Sequence, residues 1–153
     1  MSIVLFLDDK GTNHSGKTFK DILSMNNEDL EDEHDYIQWL FPLKEPSQFA
    51  TDAPVLSDID IEEIQSNQNI QTNLLKGLDK ITSFYINTNH WLCEHDHNHL
   101  RITRIIKSLV LLVDIDKAEH FYDTIIYRVT HSKDKVSPDN IKYWTDALGL
   151  TIR

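Results

Sequence analysis

The chain has 153 residues, of which 40% are hydrophobic and 26% charged, and its formal net charge at pH 7 is −10. This length and composition predict one domain over residues 1–153, because such a chain can bury roughly 70% of its unfolded surface in one core. The acidic excess repels phosphate backbones, so we expect no nucleic-acid partner.

The sequence shows no sign of membrane insertion or of secretion. No apolar run approaches the roughly 20 residues of a membrane-spanning helix. Ile3–Leu7 is short and lacks the basic flank of a signal peptide. The single cysteine, Cys93, excludes an internal disulfide bond. We therefore expect a soluble, cytoplasmic protein without a transmembrane segment.

The first helical pattern opens at Thr18 or Lys17. Phe19, Ile22 and Leu23 lie at i, i+3 and i+4, the spacing of one helical face. Asn26 and Asn27 then break the pattern, and either can cap the next helix. The sequence predicts a short helix that ends before these asparagines.

A longer helix is predicted from Glu28 to the residue before Pro42. Acidic side chains crowd its first turns, where the helix dipole favours negative charge, and the proline ring ends it. Its apolar stripe at helical spacing consists of Leu30, His34, Ile37 and Phe41.

The remainder of the chain predicts an extended connection and then further helices. Residues 42–56 contain three prolines, which favour extended backbone. Helices are predicted over about 58–66, 69–86 and 99–113. A further helix follows Asp116 with Ala118, Phe121, Ile125 and Val129, and a last one begins at Pro138. Their predicted N-terminal caps are Ser57, Asn98, Asp116 and Ser137. The pattern predicts an all-α fold of about six helices.

Two blocks give the chain a family resemblance. The segments His34–Leu43, with sequence HDYIQWLFPL, and His97–Ile105, with sequence HNHLRITRI, closely resemble the signature of the opioid growth factor receptor domain family. Softer matches are Gly16-Lys17-Thr18, Phe84-Tyr85, His90-Trp91 and Tyr143-Trp144. The resemblance covers almost the whole chain. It implies an all-helical domain and binding of an opioid peptide growth factor, and it brings no catalytic residues with it.

Residues Gly11–Thr18 fit the phosphate-binding pattern G-x-x-x-x-G-K-[ST]. In such a loop, backbone N–H groups hold the phosphates and the lysine reaches them. Asp8 and Asp9 would crowd those phosphates, and a nucleotide-binding domain needs several parallel strands. A nucleotide-dependent enzyme therefore remains only an alternative.

A second enzymatic alternative depends on residues 90–99, which hold four histidines, one cysteine and two acids. All are ligand types for zinc or another transition metal. Their spacing matches no known metal motif, because there is no second cysteine and no H-E-x-x-H. We expect no metal site and no cofactor.

Arg101, Arg104 and Lys107 lie at i, i+3 and i+6 and form a basic ridge on the predicted helix. The ridge could bind an anion or a carboxylate. Alternatively, its arginines pair within the protein with acids such as Asp35 or Glu33, which is the commoner role of a charge stripe.

His34 and Gln38 are one helical turn apart and Trp39 lies beside them, a set that could line a pocket for a peptide or a small polar ligand. The same residues could instead belong to a core helix whose polar groups bond to neighbours such as Arg101 or His99. We expect the two signature blocks to meet in space.

The sequence favours a binding or interaction module over an enzyme. Its expected ligand is an unidentified peptide, protein or small polar molecule. The candidate ligand-binding residues are His34, Asp35, Gln38, Trp39, His97, His99, Arg101 and Arg104.

Overall fold

The computed structural model describes residues 2–47 and 50–149 and confirms the all-α class. Within these residues there is no β-strand, and there are nine helices where about six were predicted. The number is higher because several helices have only one turn. They are α1 (Ile3–Leu7), α2 (Phe19–Leu23), α3 (Asn27–Asp32), α4 (Ile37–Leu40), α5 (Asp58–Ser66), α6 (Gln68–Asn87), α7 (His97–Leu112), α8 (Ile115–Thr130) and α9 (Pro138–Ala147).

In the same two ranges, no helix has the length and apolar content needed to cross a lipid bilayer. The predicted connection over residues 42–56 contains no helix in its described part, and residues 48–49 of it lie outside that part.

The chain divides into two compact units, Met1–Ile81 and Thr82–Arg153, and helix α6 contributes residues to both. The first unit carries 16 acidic and six basic side chains, whereas the second carries nine of each. The whole net charge of −10 therefore belongs to the first unit. The single domain over residues 1–153 stays a prediction.

Helix α1 distinguishes this fold from a nucleotide-binding domain, in which a β-strand would precede the phosphate loop. The Ser2 hydroxyl accepts a hydrogen bond from the Leu5 N–H and caps its start. At its end Asp9 adopts φ +56°, and the Lys10 N–H donates to the Leu5 carbonyl at 2.8 Å, as in a Schellman motif. These local signals make residues 3–7 helical where a phosphate loop needs a strand.

The first unit packs around aromatic rings from short helices. Phe6 on α1 contacts Phe19 on α2 and Trp39 on α4, with ring centroids 5.8 and 5.3 Å apart. Helix α6 approaches this group through Gly77, where an added Cβ would lie 3.5 Å from the Phe19 ring and 3.8 Å from Leu40. This core fixes the position of α4, which carries part of the candidate site.

The predicted helix from Glu28 to Phe41 is wrong as one element. Helix α3 ends at Asp32, Glu33 is extended with φ −86° and ψ 138°, and α4 begins only at Ile37. Acidic side chains at the end of α3 oppose the helix dipole, which disfavours continuation. The Tyr36 hydroxyl donates to the Leu30 carbonyl at 2.7 Å. This bond gives a partner to one of the last carbonyl groups of α3. His34 therefore lies in the break and is exposed.

Most of the other predicted elements are confirmed, and two predicted caps are wrong. Helices α2, α5 and α6 begin and end within about two residues of the prediction. The Ser57 and Ser137 caps are also confirmed. The N-cap of α7 is Asp96 instead of Asn98, and that of α8 is Asp114 instead of Asp116. Each of these aspartates accepts a backbone hydrogen bond from the first turn of its helix, at 2.9 and 2.7 Å respectively.

The second unit is built around α7, which packs against both α8 and α9. Helix α8 also supplies a side chain, Arg128, that binds carbonyl groups at the C-terminal end of α6. The Arg128 guanidinium donates to the carbonyls of Tyr85 and Thr88 at 3.3 and 2.8 Å. A cation at this position satisfies carbonyls that the end of a helix leaves without partners.

Candidate binding site

The loop over residues 11–18 is filled by the side chain of Asn13. This side chain is 1% exposed, and its Oδ1 accepts hydrogen bonds from the N–H groups of Ser15 and Lys17 at 2.9 and 3.0 Å. In a phosphate loop, such N–H groups would face the phosphates instead.

Lys17 has a partner inside the first unit. Its ammonium group pairs with the Glu33 carboxylate, which raises the pKa of Lys17. With helix α1 in place of a strand, the filled loop gives the nucleotide-dependent alternative no support.

The same loop joins α4 in a chain of three side chains. The Trp39 Nε1–H donates to His14 Nδ1 at 3.2 Å, and the two rings stack with centroids 6.0 Å apart. Because an indole N–H can only donate, His14 Nδ1 must accept, and its proton lies on Nε2. That nitrogen faces the Asp35 carboxylate at 3.6 Å.

The chain runs from the core to the surface. Trp39 is buried, the His14 side chain is 23% exposed, and the Asp35 side chain is 40% exposed. The Ser15 hydroxyl donates to the same Asp35 oxygen at 2.6 Å. We call Trp39, His14, Asp35 and Ser15 the loop–α4 cluster. It holds an accessible carboxylate in a fixed position beside an imidazole.

Two of the predicted site residues, Asp35 and Trp39, thus both contact His14, which is not among the predicted site residues. Gln38 is buried, and among the described residues its Oε1 accepts no hydrogen bond. His34 lies in the break between α3 and α4 and is exposed. The Gly11–Thr18 pattern includes His14, but it predicted phosphate binding. No periodicity in the sequence links His14 to Trp39.

In the second unit, His99 lies inside a hydrogen-bonded network. Its Nε2 is 2.8 Å from the Trp91 carbonyl, and its Nδ1 is 3.1 Å from the Asn140 side-chain amide. A carbonyl can only accept and an amide N–H can only donate, so the ring is the neutral tautomer with its proton on Nε2. Burial lowers the pKa of His99, which agrees with this assignment.

The other polar groups at the start of α7 are also engaged. The Asn98 side chain accepts from the Tyr85 hydroxyl at 3.1 Å and donates to Asp96 at 2.9 Å. His97 is exposed, and its ring lies 3.7 Å from the Asp96 carboxylate. Of the predicted histidines on α7, His97 is accessible and His99 is enclosed.

The histidine-rich segment has the ligand types of a metal site without their arrangement. Within residues 2–47 and 50–149, no three His, Cys, Asp or Glu side chains are grouped so that they could hold a metal ion. Burial, followed by the Asp96 carboxylate, raises the pKa of the Cys93 thiol, which makes it a poorer metal ligand. The metal-dependent alternative gains no support.

The predicted basic ridge on α7 is not one surface. Arg101 is buried at 7% exposure, Arg104 is half-buried, and Lys107 is exposed. Both arginines interact with other residues of the protein. Their positions favour roles inside the structure, whereas Lys107 faces solvent.

Comparison with known sequences decides the family. Residues 6–90 match the sequence model of the opioid growth factor receptor conserved region. The chain belongs to this family. The matched range contains the whole loop–α4 cluster.

Individual receptors of this family align over about half of the chain. The mouse opioid growth factor receptor is 37% identical over 98 residues, which are 52% of this chain and 15% of the receptor. The human receptor is 36% identical over 101 residues, 52% of this chain and 14% of the receptor. The mouse opioid growth factor receptor-like protein 1 is 34% identical over 99 residues, 54% of this chain and 21% of that protein.

The aligned part is thus a small share of these longer relatives. No solved structure gives a significant match to the chain.

Proposed function

We propose that this chain is a binding module for a peptide, a protein or a small polar ligand, and that the ligand contacts the loop–α4 cluster. The observation that carries the proposal is the chain of contacts from Trp39 through His14 to the half-exposed Asp35 carboxylate. Side chains held in place by one another can bind a ligand with little further ordering cost.

The charge distribution favours a ligand that carries a cationic group. The first unit holds the whole net charge of −10, so positively charged molecules are attracted to it. Asp35 would pair with an ammonium or guanidinium group, and the Nε2–H of half-exposed His14 would donate to an acceptor on the same ligand. The hydroxyl of Ser15 keeps the carboxylate in position.

The other predicted site residues are proposed to have more limited roles. His34 and His97 are exposed and can contact a ligand directly, whereas His99 positions its neighbours because both ring nitrogens are occupied. Gln38, which is buried in the first unit, is proposed to support the loop–α4 cluster, and Arg101 and Arg104 are proposed to support helix α7 in the second unit. That the two signature blocks meet at one site stays a prediction.

The printed names of the relatives supply the first ligand to test. They are called opioid growth factor receptors, and we propose a related peptide ligand for this chain. The three tryptophans provide the readout, because each indole N–H has a different acceptor: His14 for Trp39, Thr88 for Trp91 and His99 for Trp144.

The experiment is a titration of ¹⁵N-labelled protein with an opioid growth factor peptide, followed through these three indole signals. We expect the Trp39 signal to shift in a saturable manner, while the Trp91 and Trp144 signals change little. His14→Phe should abolish the shift, and His120→Phe, at an exposed position of α8, should leave it intact. A saturable shift confined to Trp91 or Trp144 would place the site elsewhere, and no saturable change at all would refute a peptide ligand of this kind.

A further inference from the structure

Helix α7 is mostly buried and exposes one narrow face to solvent. Beyond its first residue, nine of its side chains are buried. The exposed or half-exposed positions are Leu100, Thr103, Arg104, Lys107, Val110 and Leu111. They are spaced at i, i+3, i+4, i+7, i+10 and i+11, so they form one stripe along the helix. We call this set the α7 stripe.

The α7 stripe combines exposed aliphatic side chains with an accessible cation and contains no acidic residue. Leu100 is 52% exposed and Val110 is 38% exposed. Between Asp96 and Asp114 the sequence contains no acidic residue, although the chain has 25. Exposed aliphatic side chains also occur elsewhere on the chain, as at Ile59, but on α7 two of them flank a lysine on a helix face without acidic residues. This combination matches a partner that is both aliphatic and acidic.

Lys107 supplies the accessible charge. It lies between the two exposed aliphatic side chains, and among the described residues it has no ion-pair partner. Arg104 lies on the same stripe but already interacts with other residues of the protein. The inference therefore rests on Lys107, Leu100 and Val110.

We propose that the α7 stripe is the docking surface for an amphipathic helix of a partner protein, with aliphatic side chains along its centre and carboxylates beside them. Leu100 and Val110 are about 15 Å apart along the axis, which is roughly three helical turns. Aliphatic side chains of the partner would cover these two residues, and a carboxylate would pair with Lys107.

A helix fits this surface better than other partners do. The stripe is straight and lies on a helix, so ridges of a second helix can pack into its grooves. A nucleic acid would need several accessible cations, whereas the stripe offers Lys107, and Arg104 already interacts within the protein. The α7 stripe and the loop–α4 cluster share no residue, so variants of one leave the other intact and the two proposals can fail independently.

The test uses the full chain and a synthetic, fluorescently labelled peptide of about 15 residues, long enough for a helix of three to four turns. Its leucines lie along one helical face and glutamates flank them. We expect saturable binding by fluorescence anisotropy, weakened at least tenfold by Leu100→Ser and by Lys107→Glu. Ile59→Ser and Lys133→Glu are the matched controls, because they make the same changes at other exposed positions and should preserve affinity.

Specificity for carboxylates is tested with a second peptide, in which lysines replace the glutamates. It should bind at least tenfold more weakly, and added salt should weaken the acidic peptide. No binding of the acidic peptide would overturn the proposal, as would equal losses in the control variants. A dimer in light scattering that Leu100→Ser dissociates would show a second copy on the stripe and would also overturn it. If Leu100→Ser does not fold, Lys107→Glu carries the test.

Discussion

At the scale of single residues, His14 and His99 each have a partner whose donor or acceptor character is unambiguous. His14 must accept from an indole, and His99 must donate to a carbonyl. The local caps Ser57 and Ser137 could be predicted because each depends on residues within one turn. The contact of His14 with Trp39 could not be predicted, since it joins residues 25 positions apart.

His99 should make stability depend on pH. Its pKa in the folded protein lies below the ordinary value of 6.5, so below that pH the unfolded chain binds more protons than the folded one. The free energy of unfolding should therefore fall as the pH falls from 7.5 to 5. His99→Gln lacks this titration, and its stability relative to the parent should rise over the same range.

Urea unfolding of both proteins at the two pH values measures this effect. The other titrating groups are common to both chains, so their contributions cancel in the difference. A difference between His99→Gln and the parent that does not change with pH would contradict the neutral, buried assignment.

At the scale of elements, hydrophobic spacing predicted the helices but not every break between them. Residues 28–41 carry a continuous helical stripe, yet the chain leaves the helix at Glu33. The stripe describes side-chain spacing, whereas the break also depends on the carboxylates at the end of α3 and on the hydroxyl of Tyr36. Likewise, Asp96 and Asn98 are both good caps, and only the assembled structure selects between them.

Helix α7 should depend on its buried arginine. Arg101 is 7% exposed and interacts within the protein, so its replacement removes the charge that its surroundings accommodate. We expect Arg101→Met to lower the free energy of unfolding by about 3–5 kcal/mol. Lys133→Met, at an exposed position, should change it by less than about 0.5 kcal/mol. Equal denaturant midpoints for the two variants would show that Arg101 is not needed for stability.

The loop over residues 11–18 should not respond to nucleotides. Asn13 occupies the N–H groups that phosphates would need. A real site stabilises by about 2.7 kcal/mol at a ligand concentration of 100 times Kd. We expect no change in melting temperature with millimolar ATP or GTP and magnesium. A rise that disappears in Lys17→Ala would restore the phosphate-loop interpretation.

At the scale of the whole molecule, two units with different charge share one chain. The sequence predicted the all-α class, because helical spacing and caps recur along the whole length. It did not predict that the net charge of −10 belongs to one unit, since the boundary between the units depends on which helices pack together. The proposed binding role follows from this combination of an acidic first unit and a positioned carboxylate.

The affinity of the Asp35→Asn variant for an opioid growth factor peptide, measured by calorimetry, tests this account most directly. Asparagine keeps the size of the side chain and removes its charge, and charge-assisted hydrogen bonds contribute about 1.5–3 kcal/mol. We therefore expect Kd to rise roughly 10- to 100-fold, while Asp123→Asn on α8 keeps the affinity of the parent. An Asp35→Asn variant that melts like the parent and binds with unchanged affinity would contradict a site at the loop–α4 cluster.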